Sequence, residues 1–118
     1  MIKYIGDDSF KEEIKNNSGV CLVDFYATWC GPCQLISPII EEVAKEHENI
    51  KVIKIDVDKN PQISSELGID TIPTLCVYKD NKLVEKQVGF RSKKTHWIFR
   101  KRRNRRLIEI SLFSFKKK

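Results

Sequence analysis

The sequence predicts an α/β fold, a mixed sheet covered by helices on both faces, and three observations carry that prediction. Strand-like and helix-like segments alternate along most of the chain. The last two strand-like segments are separated only by the turn signal Asp80-Asn81. One run, residues 20–26, is apolar on both of its faces except for a single carboxylate, as a central strand must be. Alternation calls for parallel strands joined by helical crossovers, and the closing hairpin adds an antiparallel edge. A chain of 118 residues makes one domain, large enough to bury a core without disulfide staples.

Residues 2–5 suit a short strand, and Asp7, Asp8 and Ser9 offer caps for a helix over 10–14. Asn16, Asn17, Ser18 and Gly19 form a turn. Residues 20–26 are rich in β-branched and aromatic side chains and too short for an ordinary helix. After them, Leu35, Ile36, Ile39, Ile40 and Val43 recur at helical spacing. Pro38 falls inside that helix and is expected to kink it. Residues 50–57 read as the next strand, and Asn60-Pro61 opens a helix that runs through Leu67 and stops at Gly68. Residues 74–78 and 83–88 are the strands of the hairpin. No internal repeat or low-complexity linker interrupts this order.

Trp29-Cys30-Gly31-Pro32-Cys33 lies at the junction between the central strand and its helix. Two cysteines are thus expected in the first helical turn, with Cys30 at the exposed helix start. Unpaired backbone N–H groups and the positive end of the helix dipole favour a thiolate there. A thiolate with a second thiol one turn away can carry out thiol–disulfide exchange. Gly31 and Pro32 are expected to shape the tight turn between the cysteines. The competing reading is half of a zinc site, but zinc takes about four ligands. Cys21, Cys76, His47 and His96 supply no second pair at ligand spacing. Neither a metal nor another cofactor is called for.

Asp24 is a carboxylate in the middle of an apolar strand. Burial without a partner makes such a group a proton acceptor near neutrality; a plain buried ion pair is the alternative. Cys21 and Cys76 lie in strands among apolar neighbours and read as core, with a regulatory thiol more plausible at Cys76.

The whole set of features, in order, resembles the thioredoxin family over about residues 2–94. It comprises the pentad at 29–33, Asp24 six residues before Cys30, Pro38, Lys54 on the next strand, Ile72-Pro73-Thr74, and Gly89 after the last strand. Tyr26 and Asp70 are minor departures, and the chain departs wholly after Lys94. The resemblance implies a thioredoxin fold and a redox-active disulfide that reduces protein disulfides in electron transport and redox homeostasis. It makes Cys30 the attacking cysteine, Cys33 the resolving one, Asp24 the acceptor of the Cys33 proton, and Lys54 a tuner of Asp24. It implies a cis-proline at Ile72-Pro73, with the Ile72 backbone pairing an extended substrate as an added strand. Trp29, Gly31, Pro32, Ile72, Pro73 and Gly89 would make a shallow substrate groove. The implied partners are thioredoxin reductase and disulfide-containing proteins, with no membrane or nucleic acid, and the chain is expected to be a monomer.

Charge divides the chain. Residues 1–90 carry 10 Lys and 15 Asp or Glu, for −5, whereas residues 91–118 carry 6 Lys, 6 Arg and one Glu, for +11. Thr95 onward lacks the apolar stripe of a closing helix, so residues 95–118 are expected to be an atypical basic tail. A reading-frame slip near Lys93-Lys94 accounts for it. Arginines written AGA, read one base later, become a glutamate-rich run in which an apolar stripe returns.

The first residues lack the charged and apolar regions of a signal peptide, and no stretch reaches the roughly 20 apolar residues of a membrane span. A cytoplasmic protein is therefore expected, in a compartment where a Cys-x-x-Cys pair is catalytic rather than structural. Two other readings are a disulfide isomerase and a binding module whose basic tail, with Trp97, Phe99, Phe113 and Phe115, docks nucleic acid or membrane.

Overall fold

The computed structural model describes residues 2–89. The tail expected over 95–118 lies outside the described residues. Eight elements follow in the predicted order: β1 (Ile2–Tyr4), α1 (Phe10–Lys15), β2 (Val20–Tyr26), α2 (Gly31–Glu46), β3 (Lys51–Asp56), α3 (Pro61–Glu66), β4 (Thr74–Lys79) and β5 (Lys82–Val88). The sheet runs β1-β3-β2-β4-β5. β1, β3 and β2 pair in parallel, while β4 and β5 are antiparallel. β2 is central, paired on both sides and almost wholly buried, which is why its sequence shows no polar face.

Strand alternation sorts the core into two layers. Val20, Leu22, Val52, Leu75 and Val77 pack under Ile36, Ile40, Val43 and Ala44 of α2. On the opposite face, Cys21, Val23, Phe25, Ile53, Ile55, Cys76 and Tyr78 meet Phe10 and Ile14 of α1 and Ile63 of α3. The α2 stripe falls at i, i+4, i+7 and i+8. Leu35, expected on that stripe, is exposed, because it sits one residue ahead of Ile36 and off the buried arc.

The local turn chemistry is largely as the residue types demand. Asp80 and Asn81 adopt positive φ (49° and 74°), the conformation that joins β4 to β5. The expected caps are redistributed. Ser9 stands at the start of α1 without a side-chain capping bond, whereas Asp7 caps α3 from 55 residues away. Its carboxylate accepts the N–H groups of Ile63 (2.8 Å) and Gln62 (3.3 Å). Asn60 in turn accepts the Asp7 N–H at 2.9 Å, and a Cβ at Gly6 would stand only 2.6 Å from Asn60 Oδ1. A side chain at position 6 would thus have to displace the Asn60 amide that holds the Asp7 N–H.

Candidate active site

β2 delivers the chain into Thr28 and Trp29, and α2 begins immediately afterwards with Cys30 at its N-cap. Cys30 N–H donates to Ala27 O (3.2 Å), and Gln34 N–H donates to Cys30 O (3.3 Å) as the first helical bond. Cys33 stands one turn in, and its backbone N–H donates to Cys30 Sγ at 3.2 Å. The two cysteines are joined in a disulfide, with their Cα atoms 5.3 Å apart. When the bond is opened, that amide and the helix start face the Cys30 sulfur, and both stabilise negative charge on it.

Two expectations change here. Cys30 was expected at an exposed position, yet Cys30 and Cys33 are each only 4% exposed. Ala27, Tyr26, Val57 and Ile72 pack around them, so the neighbouring strand end and loops cover the sulfurs as well as flank them. Gly31 was expected to shape a tight turn, but it lies in the helix without positive φ, and a Cβ there would meet nothing within 4 Å. The fold itself does not require glycine at that position. Pro32 sits in the first turn, where a missing N–H costs nothing.

The rim of the disulfide is built from three loops. Trp29 is 70% exposed, and its indole Nε1–H donates to Asp58 Oδ2 at 2.6 Å. Asp58 follows β3, and its own N–H is held by Asp56 Oδ1 at 3.0 Å. The Ile72–Pro73 peptide is cis. Ile72 packs against the cysteines, Pro73 is fully buried, and Gly89 N–H donates to Pro73 O at 2.8 Å. Gly89 has φ 79°, a left-handed conformation that favours glycine. Asp58 was missed in the sequence because its bond to Trp29 spans 29 residues and has no local signature.

Asp24 is fully buried on the α2-facing side of β2, in register with Lys54 of β3 and Leu75 of β4. Neither carboxylate oxygen accepts a hydrogen bond among the described residues. Burial pushes its pKa up to about 6, and the Lys54 ammonium, 3.8 Å from Oδ2, only partly opposes this. That ammonium donates to Ser37 Oγ of α2 at 3.0 Å and lies over the rings of Tyr26 and Tyr4, at 5.1 and 5.9 Å. Burial raises the Tyr26 pKa as well, with Asp56 adding to the effect. Cys21 and Cys76 lie on the far face of the sheet as free thiols, pushed up to about 12 and about 11 by burial.

A Cys-x-x-Cys pair at a helix start, with a buried carboxylate of raised pKa on the strand that leads into it, defines a dithiol–disulfide oxidoreductase. Residues 1–99 match the family model "Thioredoxin". The chain is 46% identical over 95 residues to the thioredoxin of Pyropia yezoensis, covering 80% of this chain and 89% of that one. It is 44% identical over 94 residues to the thioredoxin of Listeria monocytogenes, covering 79% and 89%. It is 41% identical over 101 residues to that of Rickettsia felis, covering 83% and 96%. The chain belongs to the thioredoxin family and is a protein-disulfide oxidoreductase. Disulfide-containing substrates and a reductase partner go with that family in general. Among the described residues, no helix is long and apolar enough to cross a membrane.

Proposed function

We propose that the chain is a general dithiol carrier that reduces protein disulfides, with Cys30 as nucleophile and Cys33 as resolving cysteine. The Cys30 thiolate attacks one sulfur of the substrate disulfide, forming a Cys30–substrate bond and expelling the other substrate sulfur as a thiolate. Cys33 gives its proton to the Asp24 carboxylate, and its thiolate attacks Cys30 Sγ. The second substrate sulfur leaves as a thiolate, both expelled thiolates take up protons, and Cys30–Cys33 is closed. The substrate gains two electrons and two protons; the carrier gives up two electrons and the Cys33 proton, and the other proton comes from solvent.

Lys54 tunes Asp24, and Trp29, Gly31, Pro32, Ile72, Pro73 and Gly89 form the substrate groove, where an extended segment pairs with the Ile72 backbone. Thioredoxin reductase restores the dithiol. The carrier works as a monomer in the cytoplasm, away from membrane and nucleic acid. The two unpaired cysteines, Cys21 and Cys76, support a reducing compartment. Residues 1–94 form the redox domain, and residues 95–118 are a basic tail produced by a reading-frame slip. Sequencing the gene across Lys93-Lys94 and weighing the native product test that point; a mass equal to all 118 residues contradicts it.

The observation that carries the redox reading is the Cys30–Cys33 bridge at the start of α2. Reduction of an insulin-type disulfide by the full chain tests it. Activity is expected to fall to background in Cys30→Ser, and retained activity in that variant would remove Cys30 from the nucleophile's role.

A further inference from the structure

Lys54 is pulled by two acceptors. Its ammonium is bonded to Ser37 Oγ at 3.0 Å and stands 3.8 Å from Asp24 Oδ2, beyond hydrogen-bond reach. The carboxylate has unused acceptor capacity on both oxygens, so nothing on its side keeps the ammonium away. What holds it back lies elsewhere. Tyr26 and Tyr4 present their ring faces to it, and Ser37 presents its hydroxyl from the helix above. Ser37 is four residues beyond Cys33, one helical turn along α2.

We propose that Ser37 is a positioning residue for proton transfer: its hydroxyl oxygen holds the Lys54 ammonium near Asp24 but unbonded to it, leaving the carboxylate free for the Cys33 proton. The inference rests on the reading of Asp24 as proton acceptor. A bonded ammonium would occupy a carboxylate oxygen and stabilise the charged form, making Asp24 a weaker base. A distant one would leave the carboxylate neutral well above neutrality. The hydroxyl fixes a point between these limits.

The groups that face this pair are Lys54 and Asp56 from β3, Lys59 after it, Tyr4 from β1, Tyr26 from β2 itself and Ser37 from α2; Leu75, the β4 neighbour, is apolar. A cavity of about 270 Å³ is lined by Lys54 together with Tyr4, Tyr26, Asp56 and Lys59. Loss of the Ser37 bond therefore leaves two destinations. Asp24, with opposite charge and only 3.8 Å away, is the one the geometry favours over the open cavity.

The test is a carboxyl-carbon NMR titration of Asp24 in the reduced full chain, read beside the pH profile of disulfide reduction. Ser37→Ala lets the ammonium close on Asp24, and the midpoint is expected to fall by about one pH unit. The low-pH limb of the rate profile falls with it. Ser37→Thr keeps the hydroxyl and the wild-type midpoint, while Ser37→Val, with the same shape and no hydroxyl, shifts as alanine does. The Val and Thr pair carries the comparison should the alanine variant fold poorly. In Lys54→Met, adding Ser37→Ala leaves the midpoint unchanged, because Ser37 acts only through the ammonium.

An unchanged or raised midpoint in both Ser37→Ala and Ser37→Val overturns the proposal, as does an equal shift in Ser37→Thr. Asp24→Asn keeps the two readings apart. If the low-pH limb persists in that variant, Asp24 is not the acceptor, whatever the Ser37 midpoints show.

Discussion

The chain holds two pairs of cysteines, and burial does not distinguish them. Cys30 and Cys33 are 4% exposed, Cys21 and Cys76 are 1% exposed. What differs is the partner each sulfur meets. Cys30 receives a backbone N–H at the start of a 16-residue helix, where unpaired donors and the helix dipole stabilise negative charge. Cys21 and Cys76 lie in strands of the layer that holds Val23, Phe25 and Tyr78, where burial dominates and, opposed only partly by Lys51 and Lys86, drives their pKa values to about 12 and about 11. The same residue type is thus a reagent in one layer and a small core hydrophobe in the other. The difference lies in oriented donors rather than in solvent access.

The largest expected effect breaks the reactive pair. Cys33→Ser leaves Cys30 with its helix start but removes the thiol that closes the ring, so the Cys30–substrate disulfide accumulates and turnover stops. Intact-mass analysis after mixing with a disulfide substrate detects the adduct. Free turnover without an adduct would show that Cys33 does not resolve.

Asp24→Asn sharpens the comparison by separating proton transfer from ionisation of Cys30. Release of the substrate is expected to slow by roughly a hundredfold, as for loss of a general base. The same change stabilises the fold at neutral pH. An acid whose native pKa is about 6 against 3.8 unfolded binds its proton more tightly when folded. Stability therefore falls as pH rises through that window, and the full cost is present above pH 6. Two units correspond to about 3 kcal/mol, which Asp24→Asn recovers at pH 7 and loses below about pH 4. Chemical denaturation at the two pH values measures it; an equal effect at both would show that Asp24 is not buried in charged form.

Much of this was legible in the sequence, for identifiable reasons. β2 (Val20–Tyr26) matches the predicted run residue for residue, because a strand paired on both sides must be apolar on both faces and Gly19, at φ 92°, ends the preceding turn. Asp24 was visible as the one carboxylate in that run, and Lys54 through the family resemblance. β3 came out shorter than residues 50–57: Ile50 N–H turns back to His47 O, while Val57, just past the strand's end, still reaches Tyr26 O of β2. What escaped depends on packing between segments distant in sequence. The Asp7 cap on α3, the Asp58 bond to Trp29 and the Ser37 hold on Lys54 span 56, 29 and 17 residues, and none leaves a local pattern. The burial of Cys30 escaped for the same reason, since Ile72 and Val57 that cover it come from other loops.

Residue-resolved alkylation of the fully reduced chain as a function of pH tests the helix-start claim most directly, with mass spectrometry reporting each cysteine separately. Cys30 should react first, with a rate that levels off well below the pH at which a free thiol ionises, about 8.5, while Cys21 and Cys76 stay unmodified until the protein unfolds. A Cys30 rate that tracks a free thiol, or equal labelling of Cys21 and Cys76 in the native state, would contradict the account.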